Sequence, residues 1–257
     1  MQDTFGHGTH VAGIIGASGN NETGVVGMNW NVSIVPIKIT DDTESAAATT
    51  VSLWRALNYA QQVNLAAVNI SYAFFEGEHY EMALEDVIRN YSGLVVGAAG
   101  NSNRNLDAYF PYDCENLILV GNATSADERY SNSASGSNYG ANTVDLFAPG
   151  TYIYSTFPGN TYSKKTGTSM AAPHVTGTAA LLWAYDPSLT AEQVKQAILE
   201  SVDQVEELST LCSTGGRLNA YKALQYVKET DIVVYTFFEL EDALANDSFD
   251  VIVSTPI

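Results

Sequence analysis

The chain contains 257 residues, of which 46% are hydrophobic and 16% are charged. This length allows one α/β domain with a fully buried core and leaves no room for a second large domain. There are 11 Lys and Arg residues against 29 Asp and Glu residues, and the resulting net charge of −18 argues against nucleic acid and anionic membranes as partners. No apolar run approaches the length of a membrane span, and residues 1–6 do not resemble a signal peptide.

Helical periodicity and short apolar runs alternate along the chain. The spacing of apolar residues predicts helices over residues 7–17, 49–62, 80–91, 175–185, 190–202 and 217–228. Apolar and β-branched runs predict strands over residues 34–39, 66–71, 94–99, 117–121 and 144–147. The helix at 190 begins with a capping box formed by Thr190 and Gln193. This alternation predicts an α/β fold with a mostly parallel central sheet and with functional residues at the carboxyl ends of its strands.

The composition of the chain changes after Thr230. Residues 231–238 are β-branched and aromatic, residues 239–250 are acidic, and residues 251–253 have the composition of a further strand. We therefore predict a domain over residues 1–229 and a C-terminal extension over residues 230–257. The composition of this extension is that expected for the start of an appended domain.

The two cysteines, Cys114 and Cys212, lie far apart and lack the spacing of metal ligands. A disulfide formed in an oxidising compartment and two isolated buried thiols are equally compatible with the sequence.

The segment GTSMAAPHVTG at residues 167–177 places Ser169 between a glycine and the start of a helix. A hydroxyl in the first helical turn lies where backbone N–H groups point outward, which suits a nucleophile and the oxyanion that it generates. Pro173 fits this placement, because proline is tolerated in the first turn. Taken alone, the pattern more often marks a serine that merely caps a core helix.

Two other segments supply the partners that such a serine needs. His7 lies in GHGTHVAG at residues 6–13, and Asn101 ends GAAGN at residues 97–101, directly after an apolar run. A base must take the proton of a serine hydroxyl before it can attack, and a carboxamide aimed at the oxyanion contributes about 2.7–4 kcal/mol. Alone, Asn101 would indicate only a turn. His10 lies one turn beyond His7 without the glutamate of an HExxH motif, so we expect a neutral, packed side chain.

Together with VNISY at 68–72 and LFAPG at 146–150, these motifs resemble those of subtilisin-type serine peptidases, the subtilase family, in register from about residue 2 to residue 226. The resemblance implies a three-layer α/β fold and hydrolysis of peptide bonds through an acyl-enzyme. It assigns Ser169 as the nucleophile, His7 as the general base and Asn101 to the oxyanion hole. No cofactor is required for this chemistry.

The resemblance also implies a pocket for the substrate residue before the scissile bond. Its walls would be formed by two strand ends, which contain Ser71, Tyr72 and Ala73 on one side and Ala98, Ala99 and Gly100 on the other. The family commonly has glycine at the position of Ala73, so we expect a shallower pocket. We expect it to accept an apolar or aromatic side chain.

The polar segment SGNNETG at residues 18–24 corresponds to a loop that binds calcium in the family. The resemblance assigns a side-chain oxygen of Asn21 and the carbonyl oxygens of Gly19, Thr23 and Val25 to a structural calcium ion, which prefers oxygen ligands. The family's other ligands come from upstream sequence. An ordinary turn of Asn and Gly residues is therefore the slightly favoured interpretation.

The catalytic aspartate of the family is not found. In the family it precedes the histidine on a strand, in an Asp-Ser/Thr-Gly string, whereas only six residues precede His7 here. Asp3 is followed by Thr4 and not by glycine, so we expect it to be structural. Return of the missing strand by circular permutation is disfavoured, because Asp231 precedes its apolar run and Asp250 lacks the Ser/Thr-Gly setting. We predict an N-terminally truncated fold that is poorly folded or inactive alone, since deletion of an interior strand leaves backbone groups unpaired.

The resemblance finally implies polypeptide substrates, a propeptide, a monomeric state and secretion to the extracellular space. The alternative is a non-catalytic relative that serves as a binding or scaffolding module.

Overall fold

The computed structural model describes residues 3–40, 49–72, 82–108 and 114–230. The helices of this part are α1 (His7–Gly16), α2 (Thr50–Gln62), α3 (Met82–Arg89), α4 (Thr168–Tyr185), α5 (Ala191–Glu200) and α6 (Ala220–Thr230). The strands are β1 (Ala67–Ile70), β2 (Leu94–Ala98), β3 (Leu117–Ala123), β4 (Leu146–Pro149), β5 (Ile153–Phe157), β6 (Thr161–Lys165), β7 (Asp203–Gln204) and β8 (Gly216–Arg217). Two short 3₁₀ turns lie at Leu106–Ala108 and Glu206–Leu208.

Six strands form the central sheet in the order β1-β2-β3-β4-β8-β7. Strands β1 to β4 and β8 pair in parallel, and only β7 runs antiparallel to its neighbour. Strands β2 and β3 are buried along their whole length, as expected for apolar runs covered on both faces.

The side chains of the sheet alternate between two hydrophobic cores. Val95 and Leu119 pack with α2 and α3 on one face, whereas Val96 and Ile118 pack with α4, α5 and α6 on the other. The molecule therefore has three layers, and the predicted α/β fold with a mostly parallel sheet is confirmed. No helix within the described ranges is long and apolar enough to cross a membrane.

Several predicted elements are confirmed with small shifts at their ends. Thr190 and Gln193 form the predicted capping box at the start of α5. The last helix begins at Ala220 and not at 217, because Arg217 pairs with its neighbours as part of β8. Cys114 and Cys212 are both buried free thiols, which favours the second of the two alternatives for these residues.

The strand predicted over residues 34–39 is wrong. This segment has no regular secondary structure and pairs with no described strand, and Ile34 and Val35 are 39% and 43% exposed. An apolar, β-branched run forms a strand only where a neighbouring strand accepts its backbone hydrogen bonds. Strand β1 is an edge strand of the central sheet among the described residues. The outer edge of β1 and the segment at 34–39 therefore both lack a strand partner.

The placement of Pro173 also differs from the expectation. Helix α4 begins at Thr168, so Pro173 lies inside the helix and not in its first turn. Its missing N–H would otherwise bond the carbonyl of Ser169, four residues earlier. Residues 131–142 contain no helix and form only isolated bridges. The predictions for Ala73 and for residues 80–81 and 231–257 fall outside the described residues.

Candidate active site

Ser169 is the second residue of α4, and its half-buried side chain lies at the carboxyl end of β1. Its hydroxyl donates to the carbonyl oxygen of Ser71 over 3.2 Å. In return, the hydroxyl of Ser71 donates to the carbonyl oxygen of Ser169 over 2.8 Å. The two serines are therefore joined by a reciprocal pair of hydrogen bonds at the start of the helix.

Asn101 follows β2 and is fixed to the first residue of α4. Its side-chain oxygen accepts the backbone N–H of Thr168 over 2.9 Å. The hydroxyl oxygen of the fully buried Thr168 accepts the N–H of Gly100 over 3.0 Å and lies 3.4 Å from the same Asn101 oxygen. These contacts hold the exposed carboxamide one residue away from Ser169.

His7 is the first residue of α1, and its ring is half-buried beside the ring of Phe5. Burial lowers the pKa of His7, the nearby charges of Lys165 and His10 lower it further, and Asp3 opposes them. The imidazole is consequently neutral at neutral pH, which is the form that a general base requires.

Hydrophobic packing brings the helices of His7 and Ser169 together. Val11, Ile14 and Ile15 of α1 form a small core with Met170, the residue after Ser169. The structure therefore gathers all three predicted catalytic segments around the start of α4. Within the described residues, the hydroxyl of Ser169 bonds to Ser71 and not to His7.

The carboxylate of Asp3 caps the first turn of α1. It accepts the N–H groups of Phe5, Gly6 and Thr9 and the hydroxyl of Thr9, with distances of 2.7–3.1 Å. Burial alone would raise the pKa of Asp3, but these hydrogen bonds outweigh it and lower the pKa. The geometry agrees with the structural role expected for this residue.

The proposed walls of the substrate pocket lie side by side. Ser71 and Tyr72 follow β1, and Gly100 follows β2, which pairs with β1 so that Ile70 faces Gly97. The second wall consists of three consecutive buried residues, Ala98, Ala99 and Gly100. This second wall is buried from solvent in this structure. Ala73, which was assigned to the first wall, lies outside the described residues.

The loop at 18–24 has the geometry of a local turn. The side-chain oxygen of Asn21 already accepts the N–H of Thr23 over 3.2 Å, and the backbone oxygen of Asn21 accepts the Thr23 hydroxyl over 3.1 Å. Asn20, Glu22 and Gly24 have φ values between 55° and 64°. The oxygens of Asn21 thus take part in a local turn, and the calcium site that the resemblance assigns stays a prediction. The turn remains the favoured interpretation.

Sequence reasoning missed Thr168, Asn69 and Thr176, which support the site from behind. Thr176 donates to the side-chain oxygen of Asn69 over 2.9 Å, and the amide nitrogen of Asn69 donates to the Ser71 hydroxyl over 2.8 Å. The available signal was a polar Asn69 within an otherwise apolar strand run, which indicates a buried polar contact.

A family model, curated relatives and solved structures are all similar to this chain. The family described as Peptidase_S8, Subtilase family, matches residues 1–221. Thermitase of Thermoactinomyces vulgaris is 36% identical over 88% of this chain and 77% of its own length. A thermophilic serine proteinase of Bacillus sp. (strain AK1) is 37% identical over 87% of this chain, which spans about half (53%) of that relative. The solved structure of the prenylagaramide maturation protease PagA has a TM-score of 0.72 and 26% identity, and the match covers 86% of this chain and 82% of PagA.

Proposed function

Because this chain belongs to the subtilase family of serine peptidases, we propose that it is a serine endopeptidase with Ser169 as its nucleophile. The observation that carries the proposal is the bond from the Thr168 N–H to the Asn101 side-chain oxygen. This bond joins the serine and asparagine motifs, which are far apart in sequence, at one helix start. A serine that merely capped a helix would not require this arrangement.

In the proposed reaction, His7 takes the proton of Ser169 as its oxygen attacks the peptide carbonyl. The Asn101 carboxamide and the N–H of Ser169 stabilise the oxyanion, to which α4 presents its positive end. His7 then protonates the leaving amine, and water repeats the sequence on the acyl-enzyme. The rotation of the Ser169 hydroxyl from Ser71 towards His7 would precede the attack.

We further propose that catalysis by this chain is impaired. An aspartate normally holds the imidazole in the correct tautomer, and its removal from subtilisin lowers kcat about 3 × 10⁴-fold. Asp3 is occupied by the first turn of α1. The unpartnered edge of β1 and the exposed segment at 34–39 support this proposal, since backbone pairing is incomplete among the described residues.

The substrates we propose are polypeptides, cleaved outside the cell by a monomeric protein after removal of a propeptide. A pocket for an apolar or aromatic side chain, and a structural calcium ion bound by Gly19, Asn21, Thr23 and Val25, remain predictions. The competing function is a non-catalytic binding module. Its support is the resting contact of Ser169, which bonds to Ser71 and not to a base.

A fluorophosphonate probe tests the proposal, because it reacts only with an activated serine. We expect slow covalent labelling of the natural protein at Ser169, located by mass spectrometry of the tryptic peptide. The Ser169→Ala variant is the matched control and should remain unlabelled. If a sample with a cooperative thermal transition is not labelled at all, the binding module is the correct function.

A further inference from the structure

Asn69 occupies an unusual position for a polar side chain. It lies on β1 between Val68 and Ile70, whose side chains pack towards α2 and α3. By the alternation of a strand, Asn69 faces the opposite layer, where α4 packs against the sheet. There it contacts α4 through the hydroxyl of Thr176, which is two turns beyond the nucleophile.

A second observation concerns the carbonyl of Ser169. In an α-helix this oxygen would accept the N–H of residue 173, but Pro173 has no N–H to give. The hydroxyl of Ser71 supplies the missing donor over 2.8 Å. A deficit created by the proline is therefore met by a side chain from the neighbouring strand.

The direction of these hydrogen bonds follows from the number of protons. The single proton of the Ser71 hydroxyl is used on the Ser169 carbonyl, so the Ser71 oxygen can only accept from Asn69. The Asn69 amide nitrogen is then the donor, and its oxygen accepts the proton of Thr176. These three hydrogen bonds form a series in which each donor points the same way, from Thr176 through Asn69 and Ser71 to the backbone of Ser169.

We propose that Asn69 is a positioning residue for the nucleophile, acting through the Ser71 hydroxyl on the Ser169 carbonyl. This role rests on the proposed peptidase function. With the Ser71 hydroxyl held in one rotamer, the peptide group after Ser169 is fixed. The same contact keeps the Ser71 carbonyl opposite the Ser169 hydroxyl. Without Asn69 the Ser71 hydroxyl can turn away, and the Ser169 carbonyl loses its donor.

The first test replaces Asn69 by an apolar side chain of similar size, in Asn69→Leu. We expect the rate constant of fluorophosphonate labelling at Ser169, and kcat on a peptide substrate, to fall about 10- to 100-fold with little change in KM, as for other errors in orientation. Thr176→Val removes the outer end of the series, farther from Ser169, and should cause a smaller fall. Thr176→Ser keeps the hydroxyl and should restore the rate.

The second test separates positioning from a general loss of packing. Pro173→Ala supplies the missing helical N–H, so the Ser169 carbonyl no longer depends on Ser71. Asn69→Leu should then reduce the labelling rate and the free energy of unfolding less in the Pro173→Ala background than in the wild type. Purely structural damage would give equal losses in both backgrounds.

The outcomes distinguish the two proposals. A wild-type protein that is folded but unlabelled contradicts the peptidase function, and the unfolding cycle still measures whether Asn69 acts through the Ser169 carbonyl. A labelled wild type together with a folded Asn69→Leu variant of equal rate overturns the positioning role alone. Additive effects of Asn69→Leu and Pro173→Ala also overturn it.

Discussion

Thr168 shows how one side chain can join distant motifs. Its hydroxyl oxygen accepts the N–H of Gly100, and its own N–H binds the side chain of Asn101. The residue is fully buried, so water cannot replace either contact. The stretch that precedes the nucleophile thus fixes the end of β2 as well as the helix start.

We predict that Thr168→Val lowers the free energy of unfolding by about 1–3 kcal/mol, because it leaves the buried N–H of Gly100 without an acceptor. Thr168→Ser is the control, since it keeps the hydroxyl and loses only a methyl group, worth about 1 kcal/mol or less. Urea denaturation of the three proteins measures the difference. A valine variant as stable as the wild type would show that this bond contributes nothing.

Helix α1 carries His7, and a hairpin of β5 and β6 holds it in place. The hydroxyls of Ser155 and Thr156 donate to the carbonyls of His10 and Thr9, each over 2.8 Å. The Nε2 atom of the fully buried His10 lies 3.0 Å from the Ile153 carbonyl and 3.1 Å from the Ser163 carbonyl, so it must carry the proton. The packed role expected for His10 is confirmed.

We predict that Gly13→Ala lowers the free energy of unfolding by about 1–3 kcal/mol, the usual cost of overpacking, because it crowds the contact between α1 and β5. The added Cβ would lie 2.2 Å from the Thr156 hydroxyl and 2.4 Å from that of Ser155, which cannot move without breaking their bonds to α1.

Gly8→Ala provides a control on the same helix. Its Cβ would meet only the Asp3 carboxylate, at 3.6 Å, so we expect unchanged or higher stability, by up to about 1 kcal/mol. Thermal unfolding of both variants gives the comparison. A Gly13→Ala protein as stable as Gly8→Ala would contradict the close approach of α1 and β5.

The elements that could be predicted from the sequence are those whose signal is local. The buried strands and the capping box at Thr190 follow from patterns within a few residues. The β5–β6 hairpin was missed, because Ser155 and Thr156 give no apolar pattern and acquire their role only against α1. The error at 34–39 has the same origin, since strand pairing depends on a distant neighbour. In the candidate site, the motif residues could be identified, whereas Asn69 depends on contacts across two layers.

At the scale of the whole molecule, a protein of charge −18 favours the neutral form of the three histidines in its described ranges. The pKa values of His7, His10 and His174 all lie below the ordinary value of 6.5, and burial is the largest cause for each. Hydrogen bonds from the ring to backbone carbonyls oppose the shift at His10 and His174 without cancelling it. Folding therefore disfavours the second ring proton, and with it the positive charge, on all three imidazoles.

We predict that this protein loses stability as the pH falls from about 7.5 to about 5.5. A histidine with a lowered pKa binds fewer protons when folded than when unfolded, so its favourable contribution is complete above 6.5 and declines as the pH falls towards the folded pKa. Ordinary carboxylates titrate below this interval, and added salt screens the remaining change in net charge. Burial raises the pKa of Asp145, against Lys195 and the Leu119 N–H, so this one carboxyl opposes the effect of the histidines.

The His174→Gln variant isolates one of these groups. The Nδ1 atom of His174 lies 2.8 Å from the Met170 carbonyl, and a glutamine amide can donate to the same oxygen without titrating. Urea midpoints at the two pH values should therefore differ less in the variant than in the wild type. Equal midpoints for the wild type, or a higher midpoint at the lower pH, would mean that the histidines bind protons as readily in the folded protein as in the unfolded chain.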